Sequence, residues 1–111
     1  MYTLPKLNYE YDALGKYISS DIMQLHHSKH HQAYVDKLNI ALEKVPASSE
    51  HSLETLLSSL DTLPKEVQIA VRNNGGGHYN HSLFWQWMSP GGGGEPTGEG
   101  AKAIFCKYVL F

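Results

Sequence analysis

Apolar residues recur at helical spacing along two long stretches of the chain. The first stretch, residues 22–44, contains no glycine or proline. A stripe of residues four apart follows one of its faces: Ile22, His26, His30, Tyr34 and Leu38. Because residues four apart lie on the same side of an α-helix, the pattern predicts one long helix. Its N-cap candidates are Ser19, Ser20 and Asp21.

A second helical pattern covers residues 64–88. One face alternates steps of four and three, which is the spacing of a packed seam, through Val67, Val71, Asn74, His78, His81, Trp85 and Met88. Three consecutive glycines, residues 75–77, oppose a helix because each costs roughly 1 kcal/mol relative to alanine. Two interpretations stay open: the helix breaks at the glycines, or another group packs closely against their backbone.

The remaining segments complete an all-α prediction. Residues 1–19 are expected to form an extended arm, and Ser52 is a suitable N-cap for a short amphipathic helix in SLETLLSSL. We therefore predict an antiparallel helical hairpin of two long helices and a short one, over residues 1–90. A glycine-rich linker is predicted at residues 91–100 and a short apolar tail at residues 101–111.

Composition argues against several functional classes. The 111 residues carry a net charge of −2 with neutral histidines, so no basic surface predicts nucleic-acid binding. No apolar run approaches the ~20 residues that span a bilayer, so no membrane association is expected. The single cysteine, Cys106, excludes an internal disulfide. The N-terminal segment resembles neither a secretion signal nor a transit peptide, so we expect a cytoplasmic protein, with the mitochondrial matrix as the alternative.

Histidine is in clear excess, with seven in the chain. LHHSKHH contains His26, His27, His30 and His31, and in a hairpin these would face the GGGHYNH segment of the second helix. A neutral imidazole is the commonest protein ligand for transition metals, and helical bundles build metal sites from facing helices. The pairs His26–His30 and His27–His31 both have chelating spacing, and the residues alone do not choose between them.

Four blocks of the sequence resemble the manganese/iron superoxide dismutase family, in the family's order and spacing: YTLPKLNYEYDAL, LHHSKHHQAYV, RNNGGGHYNHSLFW and SPGGGGEPTG. The resemblance covers roughly residues 2–104. It implies that this region is the family's N-terminal helical hairpin, which packs on a C-terminal α/β domain in enzymes that form dimers or tetramers. The implied activity is dismutation of superoxide to oxygen and hydrogen peroxide, at a metal that alternates between its trivalent and divalent states.

The resemblance also implies roles for individual residues. His26 and His81 match two metal ligands, one from each long helix. His30 matches a residue at the mouth of the site, and Tyr34 matches the gateway tyrosine that relays protons. Trp85 matches an aromatic residue that lines the cavity.

Metal preference follows from the same resemblance. Gly77 stands where iron-type members tend to carry glutamine, so the resemblance implies manganese, with iron as the alternative. It further implies that the helix continues through the glycines. By the same resemblance, His27, His31 and His78 are not ligands.

The family's remaining two ligands, an aspartate and a histidine, belong to a block that this sequence lacks. No histidine or aspartate follows His81, and FCKYVLF after Ile104 does not resemble the family's continuation. We therefore expect a truncated chain with a non-homologous tail and without the C-terminal α/β domain. Two histidines should hold a divalent ion more weakly than four ligands, so this chain alone is expected to be inactive. Whether the family's dimer or tetramer forms is left open.

Two alternatives to an enzyme stay open. The chain could be a histidine-rich helical hairpin that binds Zn²⁺, Cu²⁺ or Ni²⁺ without redox turnover, or it could be an inert truncated product. Metal binding that needs the His27–His31 pair but not His81 would favour the binding module. Absence of metal binding, with aggregation through an exposed apolar seam, would favour the inert product.

Overall fold

A computed structural model describes residues 1–108 of the protein, with side chains described as far as residue 104. The elements of this part are α1 (Ser20–Leu25), a π-helical segment (His26–His31), α2 (Gln32–Leu42), a 3₁₀ turn (Pro46–Glu50), α3 (Leu53–Ser58), a second 3₁₀ turn (Leu60–Thr62), α4 (Lys65–Trp87) and α5 (Gly98–Tyr108). No strand occurs within residues 1–108, which agrees with the all-α prediction. None of the helices described is both long and apolar enough to cross a membrane.

Helices α2 and α4 form the predicted hairpin. Their facing sides completely bury Leu38 and Val71, and Leu56 of α3 is buried against the same apolar cluster. The cluster contains Leu38, Ala41, Leu42, Leu56, Leu63, Val67 and Val71. Each large apolar side chain that is fully buried contributes about 1.5–3 kcal/mol. This cluster therefore holds together the end of the hairpin that lies away from the histidines.

The N-terminal arm is fastened along the hairpin, but it is not extended throughout as predicted, because hydrogen-bonded turns fold residues 11–17. The Tyr2 N–H donates to Asn39 Oδ1 at 2.9 Å, and Asn39 Nδ2 donates to the Tyr2 carbonyl oxygen at 2.9 Å. Farther along the arm, Leu14 packs with Met23 and Trp85 in a second buried apolar cluster. The arm thereby closes one side of the hairpin next to the histidine-rich segment.

The structure corrects the prediction of one continuous α-helix over residues 22–44. The backbone widens into a π-helical turn at the histidines, and the Gln32 N–H donates to the carbonyl oxygen of His27, five residues earlier. Within this turn His27 and His31 are buried, while His30 stays exposed. Apolar spacing did not reveal this turn, because one extra residue leaves the pattern on either side intact.

Helix α4 runs unbroken through the three glycines, and close packing explains two of them. A Cβ added to Gly75 would lie 3.1 Å from a leucine side chain of α3, and one added to Gly77 would lie 2.5 Å from Tyr34 Cδ1. A Cβ on Gly76 would meet nothing within 4 Å. The second of the two interpretations therefore holds for Gly75 and Gly77, and Gly76 has no such neighbour.

After α4 the chain turns through glycines in the left-handed region, with φ of 74° at Gly91 and 104° at Gly93. Helix α5 begins at Gly98, inside the predicted linker of residues 91–100. The non-homologous tail predicted after Ile104 falls on residues 105–111, which lie outside the residues whose side chains are described.

Candidate metal centre

Two histidines from opposite arms of the hairpin meet in the structure. His26 begins the π segment and His81 lies on α4, and their Nε2 atoms are 3.0 Å apart. The two rings meet edge to face, with their centroids 4.9 Å apart. Both side chains are half-buried, so the facing nitrogens are shielded by protein without being sealed from the surface.

A backbone carbonyl sets the orientation of His81. Its Nδ1 lies 2.7 Å from the Gly77 carbonyl oxygen, and since a carbonyl only accepts, the Nδ1–H is the donor. The neutral ring then carries a lone pair on Nε2, the atom that faces His26. A hydrogen bond from the far ring nitrogen to a carbonyl is the usual support of a metal-binding histidine.

His30 brings a third imidazole close to the pair. One ring nitrogen each of His26, His30 and His81 lies within 4.8 Å of the others, and we call this set the imidazole triangle. The rings of His26 and His30 have centroids 5.8 Å apart, and His30 is exposed. Of the two chelating pairs that the sequence left open, His26–His30 belongs to the triangle.

His27 is committed to protein partners instead. Its Nε2 lies 2.8 Å from the Pro5 carbonyl oxygen, so it donates there, and its Nδ1 then accepts from the Tyr11 hydroxyl at 2.9 Å. Both ring nitrogens are occupied, so the ring has no lone pair free for a metal. Its structural role is to fasten the N-terminal arm to the π segment.

His31 is also occupied at both ring nitrogens. The Trp85 Nε1–H donates to its Nδ1 at 2.9 Å, and its Nε2 lies 2.7 Å from His78 Nδ1. All three side chains are buried. The pair His27–His31 therefore serves the interior of the hairpin, and neither ring is free to chelate.

Two aromatic rings border the imidazole triangle. The Trp85 ring lies edge to face with His26, with centroids 4.9 Å apart, and is almost fully buried. The Tyr34 ring lies 5.2 Å from that of His81, over the bare backbone of Gly77. Trp85 thus forms a wall beside one of the facing histidines, and Tyr34 adjoins the other.

Burial favours the neutral form of three of the histidines, His26, His31 and His78, by lowering their pKa. It lowers the pKa of His26, and the neighbouring His81 and His30 add to the effect. Burial, followed by the charges of nearby histidines, lowers the pKa of His31 from 6.5 to about 3, and burial also lowers the pKa of His78. A neutral imidazole has the lone pair that metal binding requires.

The donor atoms fit a transition-metal ion. Metal–nitrogen bonds to histidine are about 2.0–2.1 Å long, so two Nε2 atoms 3.0 Å apart are close enough to share one ion. Both rings are held in place by neighbouring groups, with His81 anchored to the Gly77 carbonyl and His26 packed on Trp85. The residues present therefore supply two imidazoles in binding position and a third, His30, within reach.

An open pocket of about 480 Å³ adjoins the triangle and is lined by Ile22, Leu25, His26 and His30. Ile22 and Leu25 are more than half exposed, so this approach to the histidines is apolar. A pocket of about 520 Å³ lies farther away, beside the glycine-rich loop that follows α4. Its lining brings no cluster of metal-binding side chains together, so it is not a candidate metal site.

Sequence reasoning missed two supports of the site. The Gly77 carbonyl lies four residues before His81, and helical spacing could have indicated that this carbonyl is within reach of the ring. The partners of His31 had no such signal, because both lie on α4, far from His31 in the sequence.

Comparison with known proteins decides the family. A family model described as iron/manganese superoxide dismutases, alpha-hairpin domain, matches residues 1–89. The chain belongs to the iron/manganese superoxide dismutase family. This membership agrees with the resemblance carried by the histidine blocks and with the helical fold.

Curated relatives extend the match to nearly every residue. A protein of Bacillus anthracis named manganese superoxide dismutase 2 is 59% identical over 110 residues, which is 99% of this chain and 53% of the relative. Proteins named manganese superoxide dismutase from Thermus aquaticus and Thermus thermophilus are 55% and 54% identical, each over 99% of this chain and 54% of the relative. The chain spans about half the length of the curated relatives it matches. Because 110 of the 111 residues are aligned, the alignment includes nearly all of residues 101–111.

Proposed function

We propose that this chain contributes the helical-hairpin half of a superoxide dismutase. The reaction converts two superoxide ions and two protons into one molecule of oxygen and one of hydrogen peroxide. The observation that carries the proposal is the 3.0 Å approach of His26 Nε2 and His81 Nε2, from opposite arms of the hairpin. The hydrogen bond from His81 to the Gly77 carbonyl supports the same role.

The metal in this proposal is manganese, with iron as the alternative, and its ligands are His26 and His81. A bound manganese ion would supply one-electron redox chemistry by alternating between its divalent and trivalent states. The names of the relatives specify manganese. Gly77 supports the same choice, because even a Cβ there would lie 2.5 Å from the Tyr34 ring, which leaves no room for a glutamine.

Three further residues have proposed roles around the ligands. Trp85, buried beside His26, excludes water from one side of the site. The Tyr34 hydroxyl and a ring nitrogen of His30 deliver the protons that the peroxide product requires. The exposure of His30 supports this role, since a proton carrier must reach solvent. Tyr34 supports it by lying beside His81.

We further propose that two ligands from outside these 111 residues, an aspartate and a histidine, complete the coordination. No histidine or aspartate follows His81 in the sequence, so the chain by itself should not turn over superoxide. The apolar pocket at Ile22 and Leu25 suits a protein surface that would cover the site. The family's dimer or tetramer and a cytoplasmic location are parts of this proposal.

Complementation tests the proposed activity. The manganese-loaded chain is assayed for superoxide consumption alone and after refolding with the half of the Bacillus anthracis relative that it does not match. We expect activity in the mixture only, abolished by His81→Gln. The control is His51→Gln, which changes an exposed ring at the other end of the hairpin. Activity of the chain alone, or activity of the mixture that survives His81→Gln, would contradict the proposal.

The position of His30 favours a second candidate function. Three imidazoles without a carboxylate are a donor set that suits Zn²⁺, Cu²⁺ or Ni²⁺, and the triangle brings three ring nitrogens within 4.8 Å. In this case the chain would bind such an ion without redox turnover. His30→Gln separates the two functions: it should greatly weaken Zn²⁺ binding if His30 is a ligand. As a proton carrier, His30 could be replaced without loss of metal binding.

A further inference from the structure

Three buried side chains join the π segment to α4 beside the proposed metal ligands. Trp85 Nε1 lies 2.9 Å from His31 Nδ1, and His31 Nε2 lies 2.7 Å from His78 Nδ1. The exposed fractions of Trp85, His31 and His78 are 4%, 0% and 6%. We call this set the Trp85–His31–His78 ladder.

The direction of each hydrogen bond in the ladder follows from the indole. An indole N–H only donates, so His31 Nδ1 must accept the bond from Trp85. The neutral His31 ring then carries its proton on Nε2 and donates it to Nδ1 of His78, which therefore carries its own proton on Nε2. A single donor thus determines the tautomers of two imidazoles.

The ladder contacts both proposed ligands through ring packing. The Trp85 ring lies edge to face with His26, with centroids 4.9 Å apart, and the His31 ring lies 5.3 Å from that of His81. The ladder residues on α4 lie on either side of His81, and His31 ends the π segment that His26 begins. A rotation of the π segment relative to α4 would therefore break the ladder and separate the two ligands together.

We propose that the ladder positions the metal ligands. The hydrogen bond from the Trp85 N–H holds His31 in one tautomer. The hydrogen bond from His31 to His78 then fixes the orientation of the π segment relative to α4. This fixed orientation determines the distance between His26 Nε2 and His81 Nε2. The inference rests on the proposed metal site. It gives Trp85 a role through its N–H that a cavity wall does not need, and it makes His31 and His78 positioning residues.

Breaking the ladder costs free energy, and this cost explains why the ladder can hold the π segment in one orientation relative to α4. Each buried ring nitrogen that loses its partner is left without water to replace it, which is costlier than losing an exposed hydrogen bond. The two bonds share the His31 ring, so moving either end leaves a buried polar atom unpaired. Only a narrow range of rotations keeps both bonds, and that range includes the 3.0 Å approach of the ligands.

Imidazole ¹⁵N NMR of the metal-free chain tests the tautomers. We expect His31 and His78 to be protonated on Nε2 in the unmodified chain. Trp85→Phe keeps an aromatic ring but removes the N–H, so His31 should become a mixture of tautomers. The matched control is Tyr9→Phe, which removes the 2.8 Å hydrogen bond from the Tyr9 hydroxyl to the Trp85 carbonyl and leaves the indole intact. It should leave the tautomers unchanged.

Titration with Mn²⁺, followed by electron paramagnetic resonance of the free ion, tests the positioning. We expect Trp85→Phe to weaken Mn²⁺ binding about tenfold, the lower end of the range for groups that support metal ligands. Tyr9→Phe should stay within about twofold of the unmodified chain. A second pair avoids changing the indole: His78→Gln keeps an acceptor for His31 Nε2–H and should retain the affinity, whereas His78→Leu should lose it.

The outcomes separate this inference from the function it rests on. If the unmodified chain binds no Mn²⁺, the proposed metal site is wrong and the positioning role fails with it. If the chain binds Mn²⁺ and Trp85→Phe binds it equally well, the inference alone is overturned. Protonation of His31 on Nδ1 in the unmodified chain would also overturn it, as would equal losses of affinity in His78→Gln and His78→Leu.

Discussion

Gly77 shows how one missing side chain shapes the site at the scale of a residue. A Cβ at this position would lie 2.5 Å from Tyr34 Cδ1, so Gly77→Ala must displace the Tyr34 ring. We expect a loss of about 1–3 kcal/mol in the free energy of unfolding, as for other overpacked positions, despite the better helix propensity of alanine.

Gly76→Ala is the matched control for that variant. Its Cβ would meet nothing within 4 Å, so it should stabilise the chain by up to about 1 kcal/mol through helix propensity alone. Urea denaturation followed by circular dichroism measures both variants. Equal stability of Gly77→Ala and Gly76→Ala would contradict the close contact with Tyr34.

Acid sensitivity of the metal-free chain is the second prediction at this scale. Burial, with the neighbouring His78, His81 and His27 charges, lowers the pKa of folded His31 to about 3, against 6.5 when unfolded. The unfolded chain takes up this proton below 6.5 and the folded chain does not. The contribution of His31 to stability is therefore complete above pH 6.5 and is lost as the pH falls from 6.5 towards 3.

The free energy of unfolding of the chelator-treated chain, measured at pH 7, 6, 5 and 4, tests this pH range. One proton contributes at most ~1.4 kcal/mol per pH unit. The pKa of His26 and the pKa of His78 are lowered too, so they act in the same direction. The exposed-site variant His51→Gln should give the same curve as the unmodified chain. Stability that does not fall between pH 6.5 and 4 would contradict a neutral, buried His31.

Individual site residues were predictable only where the signal was local or was carried by the family's blocks. The resemblance implied His26 and His81 as ligands, and the structure brings their Nε2 atoms to 3.0 Å. The partners of His31 were not predictable, because they are set by a π-helical turn and by an indole 54 residues away in sequence. The spacing of residues within one segment indicates neither the π-helical turn nor the position of that indole.

At the scale of secondary-structure elements, the π segment determines which histidines face α4. It places His26 and His31 on the side that faces α4, which a regular α-helix would not do for residues five apart. Deletion of Lys29, an exposed residue of the segment, should restore regular α-helical geometry. The preceding residues would then rotate by about 100°, so His26 should turn away from His81.

Mn²⁺ affinity and helix content measured together test this deletion. We expect at least a tenfold loss of affinity, as for other disruptions of ligand support, with helix content retained. Lys29→Ala removes the same side chain without changing the chain length and should bind like the unmodified protein. An unchanged affinity in the deletion variant would show that the π-helical turn does not position the ligand.

The N-termini of two helices were predictable because capping is local. Ser19 and Ser52 accept hydrogen bonds from the N–H groups of Ile22 and Thr55, as their sequence positions indicated. Whether α4 continues through the three glycines could not be decided from sequence, since the answer depends on side chains of other elements that pack against them. The π-helical turn was invisible, because one inserted residue leaves helical spacing intact on both sides.

At the scale of the whole molecule, the hairpin gathers the histidines but leaves them open on one side. The pocket of about 480 Å³ beside the triangle exposes Ile22 and Leu25, and the chain spans about half the length of its curated relatives. The fold class followed from the spacing of apolar residues, since two amphipathic helices of this length must bury their faces against each other. The source of the two further ligands that we propose does not follow from any pattern within these residues.

Paramagnetic broadening of histidine resonances by Mn²⁺ tests the central claim most directly, because it works even when binding is weak. Small additions of Mn²⁺ to the ¹⁵N-labelled chain should broaden the imidazole signals of His26 and His81 first, followed by His30. The signals of the exposed His51 should stay sharp at the same concentrations. Broadening that begins at His51 or His27, or that affects all seven histidines equally, would contradict a metal centre between the two arms of the hairpin.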